Sequence, residues 1–152
     1  MLSNPLKVNK KANIWFGIFL FLWATYWIDE ILILTKANQL GEIPNLLISF
    51  FQFLTPIILY LSIVFFTNPN YKFKSKDITF LLLPFIYLLL LLINIIISKN
   101  IDTILVFLLI AHALLYTFLS YFKIRKHQQQ IKLFSSNTVE IDLKWLEYIV
   151  LG

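Results

Sequence analysis

Apolar residues fall in four long stretches along this chain, interrupted by short polar segments. Each stretch has the length needed to cross a bilayer, which takes roughly 20 residues of helix. The pattern predicts membrane helices at about 12–34, 44–66, 77–98 and 101–123. Turn and charge signals mark the separators: Thr35 to Pro44 around Gly41, Thr67 to Lys76 with Asn68, Pro69 and Asn70, and Ser98 to Asp102. Lys7, Lys10 and Lys11 precede the first stretch as they would in a secretory signal. Asp29-Glu30-Ile31-Leu32 stands where a cleavage site of small residues would have to lie, so the segment reads as an uncleaved anchor.

After the fourth stretch the pattern changes. Residues 124–140 are polar and are predicted to continue the fourth helix beyond the membrane. Ser135-Ser136-Asn137-Thr138 should end it, and Asn137 with Glu140 three residues later has the spacing of a capping box that opens another helix. Ile141, Trp145 and Ile149 then recur every four residues, and hydrophobicity is still rising at Tyr148-Ile149-Val150-Leu151-Gly152. This reads as the start of a further membrane helix, with Gly152 a truncation point. The expected organisation is a cytoplasmic amino terminus at 1–11, a four-helix transmembrane domain at 12–123, and a connector with the start of another helix at 124–152.

Composition supports the all-α, polytopic membrane class. Hydrophobic residues make up 59% of the chain and charged residues 14%, and the mean hydropathy is +0.78. A soluble domain of this size has too little interior for that much apolar side chain. The absence of cysteine excludes disulfide frameworks and thiolate metal sites. Three glycines leave no room for glycine-rich phosphate loops.

Charge sets the expected direction. Lys7, Lys10 and Lys11 precede the first helix; Lys72, Lys74 and Lys76 lie between the second and third; Lys123, Arg125, Lys126 and Lys132 follow the fourth. The opposite side carries Lys36 and Lys99. Positively charged loops stay in the cytoplasm, so both termini are expected there. The net charge of +5 is then accounted for by topology and attraction to anionic lipid headgroups, without nucleic acid. Trp15 and Trp27 lie near opposite ends of the first helix, as interfacial aromatic belts do.

Polar side chains inside a membrane are costly, about 2.5 to 3.5 kcal/mol for a central charge, which makes each a candidate for function. His112, Tyr116 and Ser120 follow one another at four-residue intervals on one face of the fourth helix. This stripe reads either as a ligand-contacting or proton-sensing surface or as interhelical glue, the second being the more economical. Metal binding is not expected, because the other histidine, His127, lies outside the membrane. Asp29 and Glu30 sit near the outer end of the first helix and point about 100° apart, so only one can face the bundle, and either could line an outward-facing pocket. Ser49, Gln52, Pro56 and Tyr60 share a face of the second helix, with Thr55 beside it. Pro56 should kink that helix and free a carbonyl that must find another partner. The third helix repeats the theme with Pro84, Tyr87 and Asn94. Together with His112, these groups could converge on one polar interior. No catalytic, metal or cofactor motif stands in the sequence.

The run Phe51 to Ser62, the segment Thr67 to Asp77 with Leu83-Pro84-Phe85, and Glu140-Ile141-Asp142-Leu143-Lys144-Trp145-Leu146 resemble the amino-terminal membrane module of Bacteroidetes-type, membrane-bound AraC-family transcriptional regulators. The resemblance implies a sensory domain of about seven passes that transmits an envelope or small-molecule signal to a cytoplasmic helix-turn-helix domain. Ile14 to Lys123 would correspond to the second to fifth of those helices. The first helix, the helices after the fifth and the DNA-binding domain have no counterpart in these residues, so no direct contact with nucleic acid is expected. The expected partners are the lipid bilayer, a further copy of the chain or a separate helix-turn-helix partner, and a small-molecule ligand of unknown identity. The alternative is a stand-alone four-helix membrane protein acting as a transporter subunit or an interaction partner.

Overall fold

A computed structural model describes residues 9–35, 41–97, 101–134 and 143–151. Every regular element among the described residues is helical. Helix α1 (Lys10–Ala24) runs into a 3-10 turn (Thr25–Trp27) and then helix α2 (Ile28–Thr35). Helix α3 spans Glu42–Thr67, a 3-10 segment (Ser75–Leu81) leads into α4 (Leu82–Ile97), α5 spans Asp102–Phe134, and α6 spans Lys144–Leu151.

Three stretches, Glu42–Thr67, Asp77–Ile96 and Asp102–Ile131, are long and apolar enough to cross a membrane. They coincide with the second, third and fourth helices expected from the sequence. The first expected helix is helical over its whole length but is not one α-helix. The 3-10 turn divides it, and α1 alone, at 15 residues, reaches about 22 Å, short of the hydrocarbon thickness. A tight turn of this kind leaves no trace in an unbroken apolar run.

Helix α3 is the hub, packing against α1, α4 and α5. Its pairing with α1 is antiparallel. The Asn9 side-chain amide donates to the Phe65 carbonyl at 2.7 Å, the Ser62 hydroxyl to the Ala12 carbonyl at 3.5 Å, and the Tyr26 hydroxyl to the Gln52 carbonyl at 2.9 Å. Asn9 also caps α1 by accepting from the Ala12 N–H. Phe53, Tyr87, Leu91 and Leu105 fill the interior among α3, α4 and α5 at one end of the bundle. At the other end Ile63, Ile124, Leu146 and Val150 form a second core with Phe16, Leu59 and Phe66 around it.

Large apolar side chains cover the outward faces: Phe21 is 71% exposed, Ile96 78%, Phe107 72% and Phe118 58%. Surface of that kind along several helices is unfavourable in water and suited to acyl chains.

Pro56 lies inside α3, four residues after Gln52. Pro84 was expected to kink the third helix. It occupies the first turn of α4, directly after the 3-10 segment, where a missing N–H costs little. The expected polar continuation of the fourth helix is present, because α5 runs without a break to Phe134. The expected break at Ser135 to Thr138 and the Asn137–Glu140 capping box lie outside the described residues.

Candidate functional site

A cleft of about 570 Å³ opens between α3, α4 and α5 at the end of the bundle that carries Glu42 and Asp102. Helix α3 contributes Glu42, Asn45, Ser49 and Gln52 to it, α4 contributes Tyr87 and Asn94, and α5 contributes Asp102, with leucines behind them. The spacing from Asn45 through Ser49 to Gln52 puts these side chains on one face of α3.

Asn94 holds the rim together. Its amide donates to the Asp102 carboxylate at 3.0 Å, and its carbonyl accepts the Ile101 N–H at 3.3 Å. It therefore ties the last turn of α4 to the first turn of α5. Glu42 and Asp102 each stand in the first turn of a helix, where a carboxylate is favoured by the unpaired N–H groups and the helix dipole. The groups around the cleft are carboxylates, amides and a hydroxyl, suited to hydrogen-bonding a small polar ligand.

Beneath the cleft lies a stack of three rings from three helices. Phe53 of α3 is sandwiched, with Tyr87 of α4 on one side at a 4.0 Å centroid distance and 12°. His112 of α5 lies 4.0 Å away at 19°. Tyr116 approaches His112 at 4.8 Å and meets Tyr60 edge-on. His112, Tyr116 and Ser120 are all at least 95% buried, so their common stripe is the face that α5 turns to α3. The Phe53 main chain lies beside the imidazole, yet neither ring nitrogen of His112 makes a hydrogen bond of ordinary geometry, and the Ser120 hydroxyl likewise has no partner.

The structure thus divides the expected single polar interior in two. Gln52 and Asn94 share the cleft with Tyr87, whereas His112 and Tyr116 lie in packed interior behind Phe53. Glu30 is exposed and does not line the cleft. Asp29 belongs to α2, and its side chain lies outside what is described. Sequence reasoning missed Glu42, Asn45 and Asp102. The short connection between the third and fourth helices was the available signal for Asp102, since it brings that residue back beside Asn94.

The opposite end of the bundle holds α6 against α5. The Arg125 guanidinium pairs with the Glu147 carboxylate at 3.3 Å and donates to the Tyr121 hydroxyl at 2.9 Å. The Gln128 amide donates to the second Glu147 oxygen at 3.2 Å. Leu146 is fully buried beside Ile63 and Ile124, and Trp145 meets Phe16 and Phe66 edge-on at 5.5 and 5.4 Å. The spacing of Trp145 and Ile149 in the sequence marked a helix here, and the buried positions prove to be Leu146 and Val150.

No family model matches the chain, and no curated protein or solved structure is similar to it.

Proposed function

We propose that this chain is the membrane-embedded, signal-transmitting part of an AraC-type transcriptional regulator, crossing the membrane four times with both ends in the cytoplasm. The observation that carries the reading is the course of α5. One uninterrupted helix of 33 residues begins at the rim of the cleft with Asp102 and Leu105. Its other half carries Arg125 and Gln128, the polar side chains that hold α6.

In the four-pass arrangement the α1–α2 segment is the first crossing, divided by its 3-10 turn. The basic residues before α1, between α3 and α4 and at the end of α5 then face the cytoplasm. The cleft opens outward, and α6 sits at the inner surface, at the end of the segment Lys123 to Lys144 that serves as the cytoplasmic connector. A polar ligand bridging α3 and α5 in the cleft would bias the position of α5. A continuous helix passes such a displacement along its axis as a rigid element. The ligand acts only as far as it binds the two positions with different affinity.

Transcript profiling tests this function. Cells carrying Leu146→Ala, which removes the buried anchor of α6, are expected to shift a defined set of transcripts in the same direction as cells lacking the chain. Unchanged transcripts in both strains, with the protein still inserted, would favour a stand-alone membrane protein and overturn the regulatory reading.

A further inference from the structure

A second cleft, of about 350 Å³, lies at the Lys123 end of the bundle between the end of α3 and the side of α5, lined by Thr67, Asn68, Lys123, Lys126, His127 and Gln130. The four α5 positions follow the spacing i, i+3, i+4 and i+7, so they form one stripe facing the α3 terminus. Their electrostatics differ from those of the stripe beside them. Arg125 points elsewhere and finds Glu147, the single ion pair among the described residues. Lys123, Lys126 and His127 surround the cleft with no carboxylate partner among the described residues, and no acidic side chain lines it. A concave site with two lysines, an imidazole and two side-chain amides, and no counter-charge among the described residues, is suited to an anion supplied from outside.

The apolar surroundings indicate which anion. Leu115, Leu119 and Phe122 precede this stripe on the same side of α5 and are 46%, 39% and 64% exposed. By helical spacing they lie within about 100° of Lys123 and Lys126. A molecule with its anionic group in the cleft and an apolar tail would cover that surface. We infer that the Lys123–Lys126–His127 cleft is a discrete binding site for the phosphate headgroup of an anionic phospholipid, whose acyl chains run along Leu119 and Leu115 of α5. The inference rests on the membrane placement of the chain and not on its regulatory role. It is distinct from diffuse attraction of basic loops to an anionic surface, because it requires this cleft and not merely this charge.

Native mass spectrometry of the detergent-solubilised chain with added phosphatidylglycerol or phosphatidylcholine tests it. The wild type is expected to retain one phosphatidylglycerol in preference to phosphatidylcholine. Two lysines close to an anionic headgroup are together worth roughly tenfold or more in affinity, so K123Q/K126Q should lose that retention by about this factor. K123R/K126R should keep it, as should K10Q/K11Q, which removes the same charge at the same end of the bundle. Matching thermal midpoints for the variants separate lost binding from lost fold. Equal loss in the two glutamine pairs would reduce the effect to diffuse charge and overturn the site. Full retention by K123Q/K126Q would also overturn it. Displacement of the lipid by millimolar inorganic phosphate would assign the cleft to free phosphate and overturn the lipid assignment.

Discussion

The hydroxyl of Tyr26 donates at 2.9 Å to the carbonyl of Gln52, the acceptor that Pro56, four residues on, leaves without its helical N–H donor. The reverse contact accompanies it. The Gln52 side-chain amide reaches the Thr25 carbonyl at 3.4 Å, inside the 3-10 turn that divides the first apolar segment. The Thr25 carbonyl already accepts the Ile28 N–H, so the repair runs one way: Tyr26 supplies the partner that Pro56 removes, as interior backbone in a membrane requires.

This repair can be measured by a double-mutant cycle. Tyr26→Phe leaves the Gln52 carbonyl unpaired and is expected to cost about 1 kcal/mol in reversible unfolding, between the average for membrane side-chain bonds and the cost of an orphaned buried acceptor. In a Pro56→Ala background the restored N–H takes over the carbonyl, and the same substitution should cost close to nothing. An equal cost in both backgrounds would show that Tyr26 acts through packing alone.

His112 is expected to tolerate Phe better than any change that removes its ring. Phe keeps the stack on Phe53 and eliminates two buried nitrogens that make no hydrogen bond of ordinary geometry, a desolvation cost of about 1 kcal/mol or more. His112→Phe should leave the thermal midpoint in detergent unchanged or raised, and His112→Leu should insert normally with a lower midpoint. A clear fall for Phe would mean that the imidazole nitrogens make a bond that matters, and would restore the sensing reading of His112.

The docking of α6 should depend on Leu146 more than on Glu147. Leu146 is fully buried, and truncation to Ala removes apolar contacts worth about 2 to 4 kcal/mol. The Arg125–Glu147 pair is half open on the arginine side, and Glu147→Gln should cost less than about 1 kcal/mol. Limited proteolysis between α5 and α6 is expected to accelerate strongly for Leu146→Ala and slightly for Glu147→Gln. The opposite order would make the ion pair the principal hold.

Much of this architecture was legible in the sequence, for a physical reason. Long apolar runs read as helices able to cross a membrane, so the bounds of α3 and the start of α5 follow from hydropathy within two or three residues, and the polar residues after Phe122 continue the helix as expected. The expected release of a carbonyl by Pro56 also meets its counterpart in Tyr26. The 3-10 turn at Thr25–Trp27 was not legible, because neither glycine nor proline marks it within an unbroken apolar run. Of the site residues, Gln52 and Asn94 meet in the cleft, but their separation from His112 depends on where the Phe53 ring lies between helices. No spacing along one helix encodes that.

Tyr71 offers a test by pH. Burial first, then the hydrogen bond at 2.6 Å to the Asp77 carboxylate and the charge of that group, push its phenol from 10 up to about 12. The neutral form is favoured in the folded chain, so its contribution is complete below pH 10 and is lost as pH rises toward 12. The thermal midpoint of the wild type should fall over that window more steeply than that of Tyr71→Phe. Parallel curves would contradict the linkage.

Everything proposed for the bundle requires the two ends of α3, which positions 38 and 75 flank, to lie on opposite sides of the membrane. The chain has no cysteine, so single substitutions report without background. Asn38→Cys and Ser75→Cys, treated with a membrane-impermeant maleimide on intact cells and again after lysis, measure the arrangement directly. The four-pass arrangement predicts labelling of the Asn38 position on intact cells and of the Ser75 position only after lysis. Labelling of the Ser75 position on intact cells would contradict it.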